Sequence, residues 1–220
     1  MTVVVLLGAP GAGKGTQAQI VADRLGLPHI ATGDLFRAAV RDGTDVGREA
    51  DAYMSRGELV PDAITVRMLL ERLGRRDAAE GAVLDGFPRN RDQAAALDTE
   101  LAARDARVDR AIHIDVPADE LVRRLSGRWI CRADGHVYHE VNHPPRVPGV
   151  CDIDGSALYQ RDDDRVETIR ARLAQQLGAL ADVIAYYRER GVLGWVDGRG
   201  TIDVVTAAVL AQVASLIRSA

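Results

Sequence analysis

The chain has 220 residues, 47% of them apolar and 27% charged, with a formal net charge of -4. This composition describes a globular protein able to bury a sizeable core in one large domain, and its acidic balance argues against a general nucleic-acid or acidic-membrane partner, so any basic site must be local. No apolar run approaches the ~20 residues that span a bilayer, Val3–Leu7 lacks a preceding basic segment, and two cysteines, Cys131 and Cys151, are too few for a disulfide framework; a cytoplasmic location is expected.

The unbroken apolar run Val3–Leu7 predicts a strand buried on both faces of a parallel sheet. It leads into GAPGAGKGT, Gly8 to Thr16, which is the phosphate-loop pattern G-x-x-x-x-G-K-[ST] with one displacement: Gly15 follows Lys14, and the hydroxyl comes later, at Thr16. Ala18, Val21, Ala22 and Leu25 then keep helical spacing until Gly26 and Pro28. Strand, glycine loop and helix N-terminus together place backbone N–H groups and a positive dipole end around a polyphosphate. Of the 28 Lys and Arg residues, Lys14 is the only lysine. A chain that uses arginine everywhere else keeps here a compact ammonium that fits between phosphates, which a flexible turn would not require.

Further short apolar runs, His29–Ala31, Ala82–Leu84, Ala111–Ile114 and Val192–Val196, alternate with helical patterns and bring the predicted strands to five. That alternation implies a parallel sheet with helices on both faces and ligands beyond the carboxyl ends of the strands. ATGDLFR, DGFPRNRDQ and VDGRG stand at three of those ends; each alone would read as a helix cap or a turn. Helical stretches at 35–41 and 46–56 surround Gly43 and end at Gly57 and Pro61, and residues between Gly127 and Asp164 shift to Gly, Pro, His and Asp with short alternations, as in a small β-rich insertion. From Val166 to Tyr187 an apolar stripe through Ile169, Leu173, Leu177, Leu180 and Ile184 predicts a long helix, with Arg165 and Arg172 on another face, aimed at the cleft. No internal repeat is apparent.

GAPGAGKGT, TGDLFR, GELVPD, DGFPRNRDQ, RLSGR and QRDDDRVETIRAR, in that order and over nearly the whole chain, resemble the adenylate kinase family of its long, bacterial type. The resemblance implies a phosphate-loop α/β core with a five-stranded parallel sheet at 1–30, 61–126 and 165–220, a helical AMP-binding flap at 31–60 and a β-rich lid at 127–164. It implies reversible transfer of a phosphoryl group from Mg-ATP to AMP, giving two ADP, by a monomer whose partners are small nucleotides. Gly15 is then a family feature, with magnesium held largely through water.

Carried onto this chain, the resemblance puts Gly11, Ala12, Gly13, Lys14, Gly15, Thr16, Arg128, Val137, Tyr138 and Gly200 around ATP. Around AMP it puts Thr32, Gly33, Arg37, Glu58, Leu59, Val60, Gly86, Arg89, Gln93, Arg161 and Arg172. Lys14, Arg89, Arg124, Arg161, Arg172 and Asp85 become the catalytic group. Arginine suits such work because its fork binds phosphate oxygens bidentately. An amide such as Gln93 both accepts from and donates to an adenine edge. Asp85 would orient magnesium-bound water; as a plain residue it would be a turn cap. Many relatives fold the lid on zinc, and the matching positions here are Cys131, Asp134, Cys151 and Asp154, with His136, His139 and His143 as substitutes. A set with so few Cys or His ligands makes the hydrogen-bonded, metal-free lid the preferred reading, and no residue is assigned as a metal ligand. Two other functions compete: a kinase for UMP, CMP or GMP, and a non-catalytic nucleotide-binding module, which would require a missing catalytic group.

Overall fold

The first apolar run lies at the centre of the sheet. In the computed structural model, which describes residues 1–56 and 58–217, β1 (Thr2–Leu7) pairs in parallel with β3 (Gly81–Asp85) on one side and β4 (Arg110–Asp115) on the other. β2 (His29–Ala31) lies outside β3 and β8 (Leu193–Asp197) outside β4, giving the all-parallel order β2-β3-β1-β4-β8. All five predicted strands are present: β2 is unchanged, β1 is longer by one residue, β3 and β4 by one residue at each end, and β8 is shifted by one.

The run does not alternate because both its faces are covered. Val4 and Leu6 pack with Ala18 and Val21 of α1 (Lys14–Leu25) and with Val205, Val209 and Val213 of α8 (Ile202–Val213). Val3, Val5 and Leu7 pack instead with Leu69 of α4 (Asp62–Leu73), Leu97 of α5 (Arg91–Ala102) and Val183 of α7 (Val166–Glu189). The chain leaves β1 toward β2, whereas from the neighbouring β4 it leaves toward β8. Their carboxyl ends therefore flank the crevice where an open α/β sheet holds its ligand.

Between β2 and α4, helices α2 (Thr32–Arg41) and α3 (Asp45–Met54) form a pair whose own small core is Phe36, Ala50 and Val60, backed by Tyr53, Met54 and Ile64. Thr44 caps α3 by accepting from Gly47 N–H at 3.0 Å, and a Cβ on Gly47 would lie 2.1 Å from Ala39 O, so only glycine allows this approach. Gly57, one of the predicted ends of this stretch, lies outside the described residues. After α6 (Ala118–Ser126), β5 (Arg128–Cys131), β6 (Val137–His139) and β7 (Leu158–Tyr159) make an antiparallel sheet of order β6-β5-β7 over a core of Cys131, Tyr138, Cys151 and Leu158.

The helix after the insertion differs from its predicted stripe. Ile169, Leu173, Val183, Tyr186 and Tyr187 are the buried residues of α7, while Leu177 is 40% exposed. Successive steps of four residues rotate a stripe by about 40° each around the axis, so the line through Ile169 and Leu173 has turned off the core by Leu177. Packing resumes through Leu180, which touches both core clusters. Arg165 is a surface residue paired with Asp162, and only Arg172 of the two arginines turns inward. No helix among the described residues is long and apolar enough to cross a membrane.

Candidate active site

The glycine loop follows β1 and enters α1 through Gly13, at φ 90°, without a side-chain cap, which leaves the first amides of the helix for an anion. Lys14 as a whole is half-buried, but its Nζ lies inside the loop and donates to Ala9 O at 3.0 Å. Burial there, with Arg89, Arg172 and Arg128 nearby, brings its pKa down to about 8 against the opposing pull of Asp85. The displaced hydroxyl of the loop also has a steric reason. A Cβ at Gly15 would stand 3.3 Å from Asp85 Oδ2, a tight contact, so a side chain there would press the carboxylate at the end of β3 back by a few tenths of an ångström. Burial pushes Asp85 up, but His29, with Nε2 3.8 Å from Oδ2, and the charges of Lys14 and Arg89 hold it below the ordinary carboxylate range.

A cleft between α2, the Glu58–Val60 segment, α5 and α7 is lined by Thr32, Gly33, Arg37, Glu58, Leu59, Val60, Arg89, Gln93 and Arg172, nearly all of the residues predicted around the acceptor. Gly86, at φ 73°, is not in this lining but anchors two residues that are: Thr32 Oγ1 donates to its carbonyl at 2.9 Å and Arg89 Nε at 2.7 Å. Phe36, Met54, Thr65, Asp163 and Gln176 line the cleft as well. The sequence assigns them no role: Met54, Thr65 and Gln176 lie in no motif, and Phe36 and Asp163 lie within TGDLFR and QRDDDRVETIRAR but are not among the residues carried over from the resemblance.

The cations of this cleft are crowded and incompletely matched. Arg89 is brought down to about 10, first by burial and then by Arg172 and Arg37. Arg161 likewise reaches about 10, through burial, Arg37 and Arg128, and its buried Nε has no hydrogen-bond partner among the described residues. Asp163 and Asp164 partly compensate. Arg172 Nη1 lies 2.9 Å from Asp163 Oδ2 and donates to Asp163 O, and Arg128 binds the fully buried Asp164 carboxylate through Nε at 2.8 Å and Nη2 at 2.5 Å.

Other predicted residues are arranged differently. Arg124 pairs with Glu120 at 2.9 Å and donates to Gly198 O at 2.9 Å, beside the Gly198–Gly200 loop. Glu58 pairs with Arg56. Val137 is 49% exposed, whereas the Tyr138 ring lies inside the small sheet, stacked on His143, with its hydroxyl accepting from Asp152 N–H at 2.7 Å. The side chain of Tyr138 is therefore turned away from the cleft.

In the small sheet, Cys131, His136, Cys151 and Asp154 bring one ligand atom each to within 4.8 Å of one another. Two turns supply them, CRADGH and CDIDGS, a short repeat that escapes composition-level reading. In each the Cys N–H donates to the carbonyl five residues on, and the Gly N–H to the Cys carbonyl. Cys131 Sγ contacts Asp154 at 3.0 Å and Ser156 at 2.9 Å, and Cys151 Sγ contacts His136 Nδ1 at 3.4 Å. Asp134 is exposed, so His136 takes the place predicted for it; His139 is engaged by Val141 and Asn142 N–H, and His143 by Tyr138 and Val137 O.

The family model for adenylate kinase matches residues 6–192. An adenylate kinase of Staphylococcus epidermidis (strain ATCC 12228) is 49% identical over 207 residues, covering 94% of this chain and 96% of the relative. One of Staphylococcus aureus (strain Mu50) is 47% identical over the same share of both chains. With the phosphate loop, the sheet order and the arginine-lined cleft in place, these matches establish that the chain belongs to the adenylate kinase family.

Proposed function

We propose that the cleft transfers the terminal phosphoryl group of ATP to AMP, reversibly, giving two ADP. The observation that carries this is the crowding of half-buried cations, with Lys14 Nζ turned into the glycine loop, Arg37, Arg89 and Arg172 lining one cleft and the Arg161 Nε without a hydrogen-bond partner among the described residues; burial and neighbouring cations hold Lys14, Arg89 and Arg161 below their ordinary pKa. Such a cage is costly when empty and complementary to polyphosphate. Phosphoryl transfer asks little covalent chemistry of the protein and depends on in-line positioning and charge stabilisation.

In this reading the α1 amides and Lys14 hold the donor phosphates, Arg37 and Arg89 hold the AMP phosphate, and Arg124, Arg128, Arg161 and Arg172 surround the migrating group. Thr32, Gly33, Val60 and Gln93 contact the acceptor base. Gly200 supplies main chain near the donor base. Magnesium bound with ATP neutralises phosphate charge. Asp85, an ionised carboxylate against the loop, suits the water around that ion. Residues 31–60 act as a flap over AMP and 127–164 as a lid that excludes water, on a core of 1–30, 61–126 and 165–220. The enzyme works as a cytoplasmic monomer. The small-sheet cluster hydrogen-bonds internally and so holds the lid without metal. Three of its six edges, at 3.0, 3.3 and 3.4 Å, are near the roughly 3.3–3.8 Å implied by tetrahedral zinc bonds, and all four ligand atoms lie within 4.8 Å of one another, so Cys131, His136, Cys151 and Asp154 would accept zinc on a modest contraction when it is supplied.

The test is magnesium-dependent conversion of ADP into equal ATP and AMP. Lys14→Ala and Arg89→Ala should each lower the rate by ~10²-fold or more. If both retain more than about a tenth of the activity, the assignment fails. A clear preference for UMP, CMP or GMP over AMP in a monophosphate panel would replace the acceptor.

A further inference from the structure

Asp62, the first residue of α4, carries no part in the reading above, yet it holds the acceptor-side amide. Its carboxylate accepts from Gln93 Nε2 at 2.7 Å and from Asn90 Nδ2 at 3.0 and 2.9 Å. At the other end of the same amide, Gln93 Oε1 accepts from the Arg89 backbone N–H at 2.8 Å. The Gln93 backbone is fixed too, donating to Asn90 Oδ1 at 2.8 Å. Gln93 is 1% exposed and lines the cleft; Asp62 does not line it, but borders a separate groove between α4 and α5, behind Gln93.

The orientation of a glutamine amide is usually inferred from its network, because its oxygen and nitrogen look alike. Here both neighbours have a fixed polarity: a carboxylate offers only acceptors and a backbone N–H only donates. A flipped Gln93 would set oxygen against oxygen at Asp62 and N–H against N–H at Arg89, and Gln93 itself is buried, so neither end of its amide can turn to water instead. Each end of the amide uses one partner, which leaves one N–H and one oxygen lone pair for a ligand, in a set order.

We propose that Asp62 is a specificity-determining positioning residue, which locks the Gln93 amide in the orientation that matches a 6-aminopurine and opposes a 6-oxopurine. The two purine edges are inverses. A 6-aminopurine offers a donor at the 6-position beside an acceptor at N1, and a 6-oxopurine offers an acceptor beside a donor. The amide that serves one must flip to serve the other, and Asp62 opposes the flip. This rests on the reading of Gln93 as a contact to the acceptor base.

AMP and IMP, which differ only at the 6-position and its N1 proton, are the substrates for the test. Asp62→Asn keeps the size of the side chain but puts an N–H where one of two acceptors stood, and that N–H must oppose a donor of Asn90 or of Gln93, so the fixed polarity at Gln93 is lost. The ratio of kcat/KM for AMP to that for IMP should fall by about tenfold or more, through KM of the monophosphate, with KM for ATP unchanged. A ratio within about twofold of wild type, or an equal loss on both substrates together with a raised KM for ATP, overturns the assignment. Should the variant fold poorly, hydrogen exchange of the Gln93 side-chain amide in the wild-type protein decides: one slowly exchanging N–H supports the lock, and exchange of both at the free-amide rate overturns it. If wild-type protein fails to phosphorylate AMP, the proposed function falls and this assignment with it. If it prefers AMP and Asp62→Asn keeps that preference, only the assignment falls.

Discussion

Asp164→Asn should unfold the junction between the small sheet and α7 more than any surface charge change. Asp164 is fully buried and receives two hydrogen bonds from Arg128 at the start of β5, with Arg172 Nη1 a further 3.8 Å away. Neutralising it leaves one partly buried guanidinium without its partner and removes a counter-charge from a second. Breaking a buried pair from one side costs about 3–5 kcal/mol. The low end, about 3 kcal/mol, applies because Arg128 is 20% exposed and Asn keeps one acceptor. For a domain of this size, about 2–4 °C is lost per kcal/mol, so the melting temperature should fall by about 6–12 °C. Urea denaturation of wild type and variant measures the loss directly, and the double variant Arg128→Met/Asp164→Leu should recover much of it, since no charge is then left buried alone. A loss under about 1 kcal/mol for Asp164→Asn, or no recovery in the double variant, would show that this pair is solvated and that the argument from burial is wrong.

The pH dependence follows from Lys14. Its pKa is near 8 in the folded loop against 10.5 when unfolded, so below pH 8 the buried ammonium costs stability, and the cost disappears between pH 8 and 10.5 as the folded chain loses its proton first. Lys14→Met should therefore be more stable than the nucleotide-free wild type at pH 7, by roughly 1–3 kcal/mol, and equal to it near pH 10.5; denaturation curves at both pH values test this. Protein stripped with a chelator should keep its fold and activity, and added zinc should raise the melting temperature, by about 2.7 kcal/mol of stability at a hundredfold excess over Kd. Asp134→Ala should keep that response and His136→Ala should lose it; unfolding on chelation, or no response to zinc in the wild type, contradicts the reading. Gly15→Val should reduce transfer far more than it reduces stability, because the new side chain meets Asp85 rather than the core, a difference that paired activity and melting measurements would reveal.

The core strands and the phosphate loop were legible because their signals are local. Val3–Leu7 is apolar at every position since both faces of β1 are covered, and the loop needs its glycines and Lys14 within nine consecutive residues. Arginines at Arg37, Arg89 and Arg172 were legible only as members of ordered motifs; taken singly they match the many surface arginines of the chain.

The rest depends on which residues meet across long separations, and no local pattern encodes that. Asp62 and Gln93 stand 31 residues apart and acquire a shared purpose only when α4 and α5 pack side by side. Asp164 reads as one of three acidic residues in a row, and only folding buries it against Arg128, 36 residues earlier. The sequence by itself determined the sheet, the phosphate-binding turn and the family of chemistry, because those rest on short-range periodicity and on backbone geometry that few residues permit. Tertiary structure alone decided that His136 rather than Asp134 faces the two thiols, that Tyr138 turns into the small sheet, and that Leu177 leaves the core, because these follow from the direction of a side chain once two elements have met, and that direction is set by packing and desolvation rather than by spacing along the chain.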